Sequence, residues 1–166
     1  MRPEVEQFPS PNFRTPKTRR TVKCVVIHAT ESATIESPKT WLCDPKSGVS
    51  AHYLIGKDGK IFQLVKESDV AWHAGHSEWR GETAVNSISI GIENVNKNDG
   101  KDPYPEAQRE ALLSLVVSIC EIHRINAEDV VGHKEIAVPA GRKDDPAGFA
   151  LETFRADVNK RLKEVA

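Results

Sequence analysis

The residues best suited to chemistry are two histidines and an aspartate drawn from opposite ends of the chain. His28 ends the apolar run VKCVVI, His133 follows Val130, Val131 and Gly132, and Asp145 lies in the polar, proline-marked segment GRKDDP. Two imidazoles and a carboxylate make the protein half of a hydrolytic zinc site, with a fourth position left for water. An open site of that kind supports hydrolysis, unlike a closed structural one. The outer ligands lie more than a hundred positions apart, which excludes a finger-type site. Strand ends also give the rigid support that metal ligands need. A lone histidine is more often hydrogen-bonded to a loop; two of them at strand ends, taken with an aspartate, favour ligation.

Residue types alone leave the third ligand open, because Asp144 adjoins Asp145 and either suits a turn. Asp145 precedes Pro146, which biases its backbone toward extended conformations. Glu93 stands on the polar side of ISIGIENV, where an acid is either paired structurally or placed to work as a base. Lys143 lies two residues before Asp145. An ammonium beside a cation costs Coulomb energy unless it faces a developing negative charge. His73 and His76 form an HxxH pair in AWHAGHSEW, read here as a cleft wall in which Trp72 and Trp79 offer indole faces to a sugar. His52 opens a strand as a hydrogen-bonded group near the site, and His123 falls on a helix face near its C-terminus.

Apolar periodicity outlines the elements that must position these groups. Val22 to Ile27 reads as a buried strand, and Glu36 to Leu42 as a short helix stopped by Asp44-Pro45. Tyr53 to Ile55 and Ile61 to Val65 flank Asp58-Gly59, a hairpin signal. Ile88 to Val95 is a strand with Ile88, Ile90 and Ile92 on one face and Ser89, Gly91 and Glu93 on the other. Pro105 suits the first turn of a helix whose apolar stripe is Leu112, Leu115, Val116, Ile119 and Ile122. Val130 and Val131 form a short strand, and a last helix from Leu151 carries the stripe Leu151, Phe154, Val158, Leu162 and Val165. The expected fold is α/β, a mixed central sheet with helices packed on it.

At 166 residues the chain fits one domain, with 39% hydrophobic and 28% charged residues. A net charge of −1 gives no reason to expect nucleic acid or an acidic polymer as partner. Residues 1–20, with Pro3, Pro9, Pro11 and Pro16, read as an extended arm, and 21–166 as the catalytic domain. Cys24 and Cys120 fall on apolar faces and read as buried free thiols; a Cys24–Cys43 bridge is the alternative and would imply an oxidising compartment. There is no apolar core of a secretory signal near the N-terminus and no segment of membrane-spanning length, so cytoplasmic synthesis and no membrane insertion are expected.

The segments SAHYLIGKDGKIFQLV, AWHAGHSEWRG, NSISIGIEN and GHKEIAVPAGRKDDP, in this order, resemble the type 2 N-acetylmuramoyl-L-alanine amidases. That zinc superfamily includes bacterial wall-recycling amidases, phage endolysins and animal peptidoglycan recognition proteins. The likeness runs from about Val22 to Phe154, and four ordered motifs are far more specific than one. It implies a single-domain zinc amidase fold with one Zn²⁺ per chain, held by His28, His133 and Asp145, which leaves Asp144 as the variable residue. It also implies catalytic roles for Glu93 and Lys143. Some phage and receptor members carry a tyrosine where this chain has Ala51, so the resemblance is closer to the branch that uses the strand glutamate. Candidate substrate contacts are Thr30, His52, Trp72, His73, Trp79 and Asn94.

The implied activity is hydrolysis of the lactyl–L-alanine amide of peptidoglycan or muropeptides by a zinc-activated water. A monomer is expected, acting on the wall if an endolysin or in the cytoplasm if a recycling enzyme. The rival reading is a non-catalytic peptidoglycan-binding module, which would be expected to have lost a ligand. HExxH, GxSxG and the HxE…PCxxC pattern are all absent, which disfavours proteases, serine hydrolases and deaminases.

Overall fold

A computed structural model describes residues 2–165. Met1 and Ala166, the outer ends of the expected arm and domain, lie outside the described residues. Strands β1 (Glu6–Gln7), β2 (Phe13–Arg14), β3 (Cys24–Ala29), β4 (Tyr53–Ile55), β5 (Ile61–Gln63), β6 (Val70–Ala71), β7 (Ser89–Asn94) and β8 (Val130–Gly132) are interspersed with five helices. These are α1 (Glu36–Cys43), α2 (Val85–Ile88), α3 (Glu106–His123), α4 (His133–Ile136) and α5 (Leu151–Val165).

Six strands form one mixed sheet in the order β1-β5-β4-β7-β3-β8, as the alternating pattern predicts. Strands β4, β7, β3 and β8 run parallel to their neighbours, and β4 turns back into β5 through the Asp58-Gly59 hairpin. Gly59 takes φ +83° there, a conformation that side chains rarely adopt. Because side chains alternate across a strand, Val25, Ile27, Ile90, Ile92, Tyr53 and Ile55 all point to one face. There they meet Leu112, Leu115, Val116 and Ile119 of α3 and Leu151, Phe154 and Val158 of α5 in the main core. Each such side chain, fully buried, contributes roughly 1.5–3 kcal/mol of transfer free energy. The opposite face carries Cys24, Val26 and His28 of β3 beside Ser89, Gly91 and Glu93 of β7, in a register that sets His28 against Glu93.

Five details depart from the periodicity. Ile88, expected to open a strand, instead ends α2 and is half-buried outside the main core that holds Ile90 and Ile92. Ile122 is exposed, while its neighbour His123 pairs with Glu67 Oε2 at 2.7 Å. Val165 is also exposed at the end of α5. Strand β5 stops at Gln63, and the still-buried Leu64 gives its N–H to the His52 carbonyl at 2.8 Å. Pro105 sits one step outside α3, as its N-cap, with ψ 154°.

The residues after Met1 up to Arg20 are stitched into the domain. Strand β1 adds to the sheet edge parallel to β5, and β2 pairs antiparallel with β6. Asn12 Nδ2 donates to the Asp44 and Val49 carbonyls at 2.8 and 2.9 Å. All three cysteines are free, so the Cys24–Cys43 bridge does not form.

Candidate active site

Three elements deliver the histidine–aspartate cluster. Strand β3 carries His28 at its penultimate position, buried to 2% exposure. His133 opens α4 directly after β8, and the turn between them is tied by Glu135, which accepts the Gly132 N–H at 2.7 Å. The Asp145 loop is drawn in by the Lys134 N–H, which donates to the Asp145 carbonyl at 2.9 Å. The result places His28 Nδ1 3.1 Å from His133 Nδ1 and 3.2 Å from Asp145 Oδ2. His133 Nδ1 lies 3.1 Å from Asp145 Oδ1. Asp144 points the other way, to the surface, where it accepts Asn98 Nδ2 at 2.8 Å.

The donor set has the chemistry of a cation site. His133 Nε2 faces the Ala74 carbonyl at 3.0 Å, and a carbonyl only accepts, so the proton of the neutral ring is on Nε2. The Nδ1 lone pair therefore points at a second imidazole nitrogen and a carboxylate. Ligand atoms of His28, His133 and Asp145 all lie within 4.8 Å of one another, the one such cluster found among the described residues. Two imidazole nitrogens and a carboxylate oxygen fit zinc.

Electrostatics follow from burial. Burial alone would raise Asp145, but the His133 and His28 rings set against it reverse this and hold the carboxyl well below its ordinary range. Burial pushes His28 down, against the opposing pull of Asp145. Glu93 is raised to about 8, by burial first and the Asp145 charge second, with Lys143 acting in opposition. Glu93 Oε2 is buried without a hydrogen-bond partner. Such an atom is costly unless a ligand or water meets it.

A cavity of about 370 Å³ opens over the cluster, lined by His28, His133, Asp145, Glu93 and Lys143 together. Thr30, Trp72 and His73 line it too. The other three candidate contacts do not. Trp79 gives its indole N–H to Asp129 at 3.1 Å and packs against the Cys24, Val26 and Val131 cluster. Asn94 is buried, and its amide donates to the His28 carbonyl at 3.1 Å, bracing the strand end. His52 is fully buried beneath the sheet, with Nδ1 accepting the Gly91 N–H and Nε2 on the Asp69 carbonyl, both at 3.0 Å. Burial and then the Arg20 charge push His52 down to about 3. His76 is exposed and joins no cluster.

Sequence reasoning missed Glu31 and Trp41, which also line the cavity. Trp41 is 55% exposed. An indole left uncovered on a short helix just past the His28 strand is the signal that marks it.

The sequence pattern of a family described as N-acetylmuramoyl-L-alanine amidase matches residues 18–148. The chain is 41% identical over 140 residues to N-acetylmuramoyl-L-alanine amidase AmiD of Escherichia coli (strain K12), which covers 75% of this chain and 49% of that protein. It is 38% identical over 115 residues to 1,6-anhydro-N-acetylmuramyl-L-alanine amidase AmpD of the same strain, with 68% and 60% covered. It therefore spans only about half to three-fifths of the length of these relatives. The fold matches AmiD from E. coli solved with the substrate anhydro-N-acetylmuramic acid–L-Ala–D-γ-Glu–L-Lys, at TM-score 0.75 and 35% identity over 85% of this chain and 59% of that one. Since the matched segment runs unbroken from ahead of the His28 strand to beyond the Asp145 loop, the chain belongs to the N-acetylmuramoyl-L-alanine amidase family.

Proposed function

We propose that this chain is a zinc-dependent N-acetylmuramoyl-L-alanine amidase that hydrolyses the lactyl–L-alanine amide of peptidoglycan or its fragments. The observation that carries this reading is the convergence of His28, His133 and Asp145 in a cavity also lined by Glu93 and Lys143. His28 Nδ1, His133 Nδ1 and an Asp145 oxygen would hold the ion. Zinc bound by such ligands supplies a Lewis acid and brings the pKa of water to about 7.

The chain's own groups handle the protons and the charge. Glu93 accepts a proton from the attacking water as the new C–O bond forms, then delivers it to the amine nitrogen as the C–N bond breaks. The Lys143 ammonium faces the carbonyl oxygen as it gains negative charge, which gives that residue a reason to sit beside a cation. Trp72 and Trp41 wall the cavity with indole surface suited to a sugar face.

Peptidoglycan or muropeptide is the partner, and the protein acts as a monomer, on the wall or on soluble fragments in the cytoplasm. No helix among the described residues is long and apolar enough to cross a membrane. Anhydro-N-acetylmuramic acid–L-Ala–D-γ-Glu–L-Lys is the substrate to try first. Metal analysis of the purified protein is expected to find one zinc per chain, and incubation to release a peptide with a free L-alanine amino terminus. A non-catalytic module would bind the compound and release none, and that outcome would overturn the reading.

A further inference from the structure

Directly behind the cluster lies the segment His73–Ala74, and its hydrogen bonds have a direction that can be deduced. Ser89 has one hydroxyl proton, and it goes to the Val85 carbonyl at 2.6 Å. Ser89 Oγ must therefore accept from His73 Nε2, 3.0 Å away. A neutral imidazole carries a single N–H, so His73 Nδ1 keeps its lone pair. That lone pair lies 2.9 Å from His28 Nε2, which must be the donor. His28 is left with its Nδ1 lone pair aimed at His133 and Asp145.

A second branch starts one residue later. The Ala74 carbonyl accepts His133 Nε2 at 3.0 Å, which fixes the other histidine in the same tautomer. One side-chain oxygen holds both branches, since Asn86 Oδ1 accepts the His73 and Ala74 N–H groups at 3.1 and 2.8 Å. The ring of His73 fits only because residue 91 has no side chain: a Cβ there would lie 2.4 Å from His73 Cγ.

We propose that His73 is a positioning residue rather than a sugar contact. With Ser89, Asn86 and the Ala74 carbonyl, it locks His28 and His133 as Nε2–H tautomers whose Nδ1 atoms face the metal. This rests on the zinc reading above and extends it from the ligands to the layer behind them. Such outer partners are generally worth about 10- to 100-fold in metal affinity.

The test uses the full chain. Long-range ¹H–¹⁵N spectra of the metal-free, ¹⁵N-histidine-labelled protein are expected to show His28 as the Nε2–H tautomer, assigned by its loss in His28→Gln. Competition with a chromogenic chelator then measures zinc affinity. His73→Leu, which has no acceptor, should weaken zinc by about 10- to 100-fold. His73→Asn, whose side-chain oxygen takes the place of Nδ1, should recover most of that loss. A merely space-filling role would treat the two variants alike, and equal affinities would overturn the proposal. So would a spectrum with His28 protonated on Nδ1. If His73→Leu does not fold, Ser89→Ala tests the same chain, because it frees His73 to turn over and is expected to mix the His28 tautomers. Should the wild type take up no zinc, the metal reading falls, and the tautomer spectrum still decides the direction of the relay.

Discussion

On the face of the sheet that meets α3 and α5, β3 and β7 present Val25, Ile27, Ile90 and Ile92 to an apolar core; on the other face the same strands present His28, Ser89, Gly91 and Glu93. The first face is covered by two long helices. The second is covered in large part by loops and by a layer of imidazoles that hydrogen-bond to one another and to backbone carbonyls. The difference shows how a single pair of strands separates stability from chemistry. Burial of branched aliphatics anchors the backbone, and the alternation of side chains then holds the reactive groups at fixed height on the far side.

Substitutions at the cluster should break the comparison most severely, because they leave the core intact and remove the chemistry. His28→Ala, His133→Ala and Asp145→Ala are each expected to lose zinc and turnover together, measured by metal analysis and amide hydrolysis. Asp144→Ala should keep both, since that carboxylate reaches only Asn98. Retention of near-stoichiometric zinc in His133→Ala would rule out its assignment.

The next effects act on rate alone. Lys143→Ala should lower kcat by about 10²- to 10³-fold with little change in KM, the mark of an interaction made in the transition state. Glu93→Gln should lower turnover by about 10²-fold or more while zinc stays bound. Wild-type turnover in Glu93→Gln would move the base elsewhere.

Leu115→Ala probes the other face. Leu115 is fully buried between α3 and the sheet, so the expected cost is about 2–5 kcal/mol of stability, read as a lower Tm. Turnover per folded molecule should not change. A large loss of kcat there would mean that the two faces are not independent.

The smallest effect sharpens the contrast by pH. In metal-free protein the carboxyl of Glu93 is raised from 4.5 to about 8, so the folded state holds a proton that the unfolded state has released between those values. Stability should therefore fall as pH rises through that window. Metal-free Glu93→Gln should melt higher than wild type at pH 8 and equally at pH 4. Identical melting at both would show that Glu93 is better solvated than its buried Oε2 implies.

Local pattern made the core face legible. The β-branched run before His28, the alternation of Ile90 and Ile92 before Glu93 and the stripe of α3 each carry their period in the residues themselves. The clustering of His28, His133 and Asp145 was legible, and the walls around them less so. Trp72 and Trp79 look equivalent in AWHAGHSEW, yet only Trp72 reaches the cavity. The segment between them turns away when Glu78 bonds to the Ile136 carbonyl and Trp79 finds Asp129, both distant in sequence. The choice between Asp144 and Asp145 likewise depends on a remote donor, the Lys134 N–H. Pairing of the arm with β5 and β6 is non-local in the same way, and no periodicity in two-residue strands could reveal it.

The arm also changes what the sheet offers to other molecules. Without β1, the outer backbone of β5 would present a row of free N–H and C=O groups, a template on which a foreign strand can build. With β1 in place, the exposed border shrinks to two residues, Glu6 and Gln7. Glu6 is ion-paired to Lys60 at 2.9 Å, and Pro3 and Pro9 on either side have no N–H to extend a ladder. The seemingly decorative first residues thus act as a terminator of sheet growth, and trimming them should cost solubility before it costs catalysis.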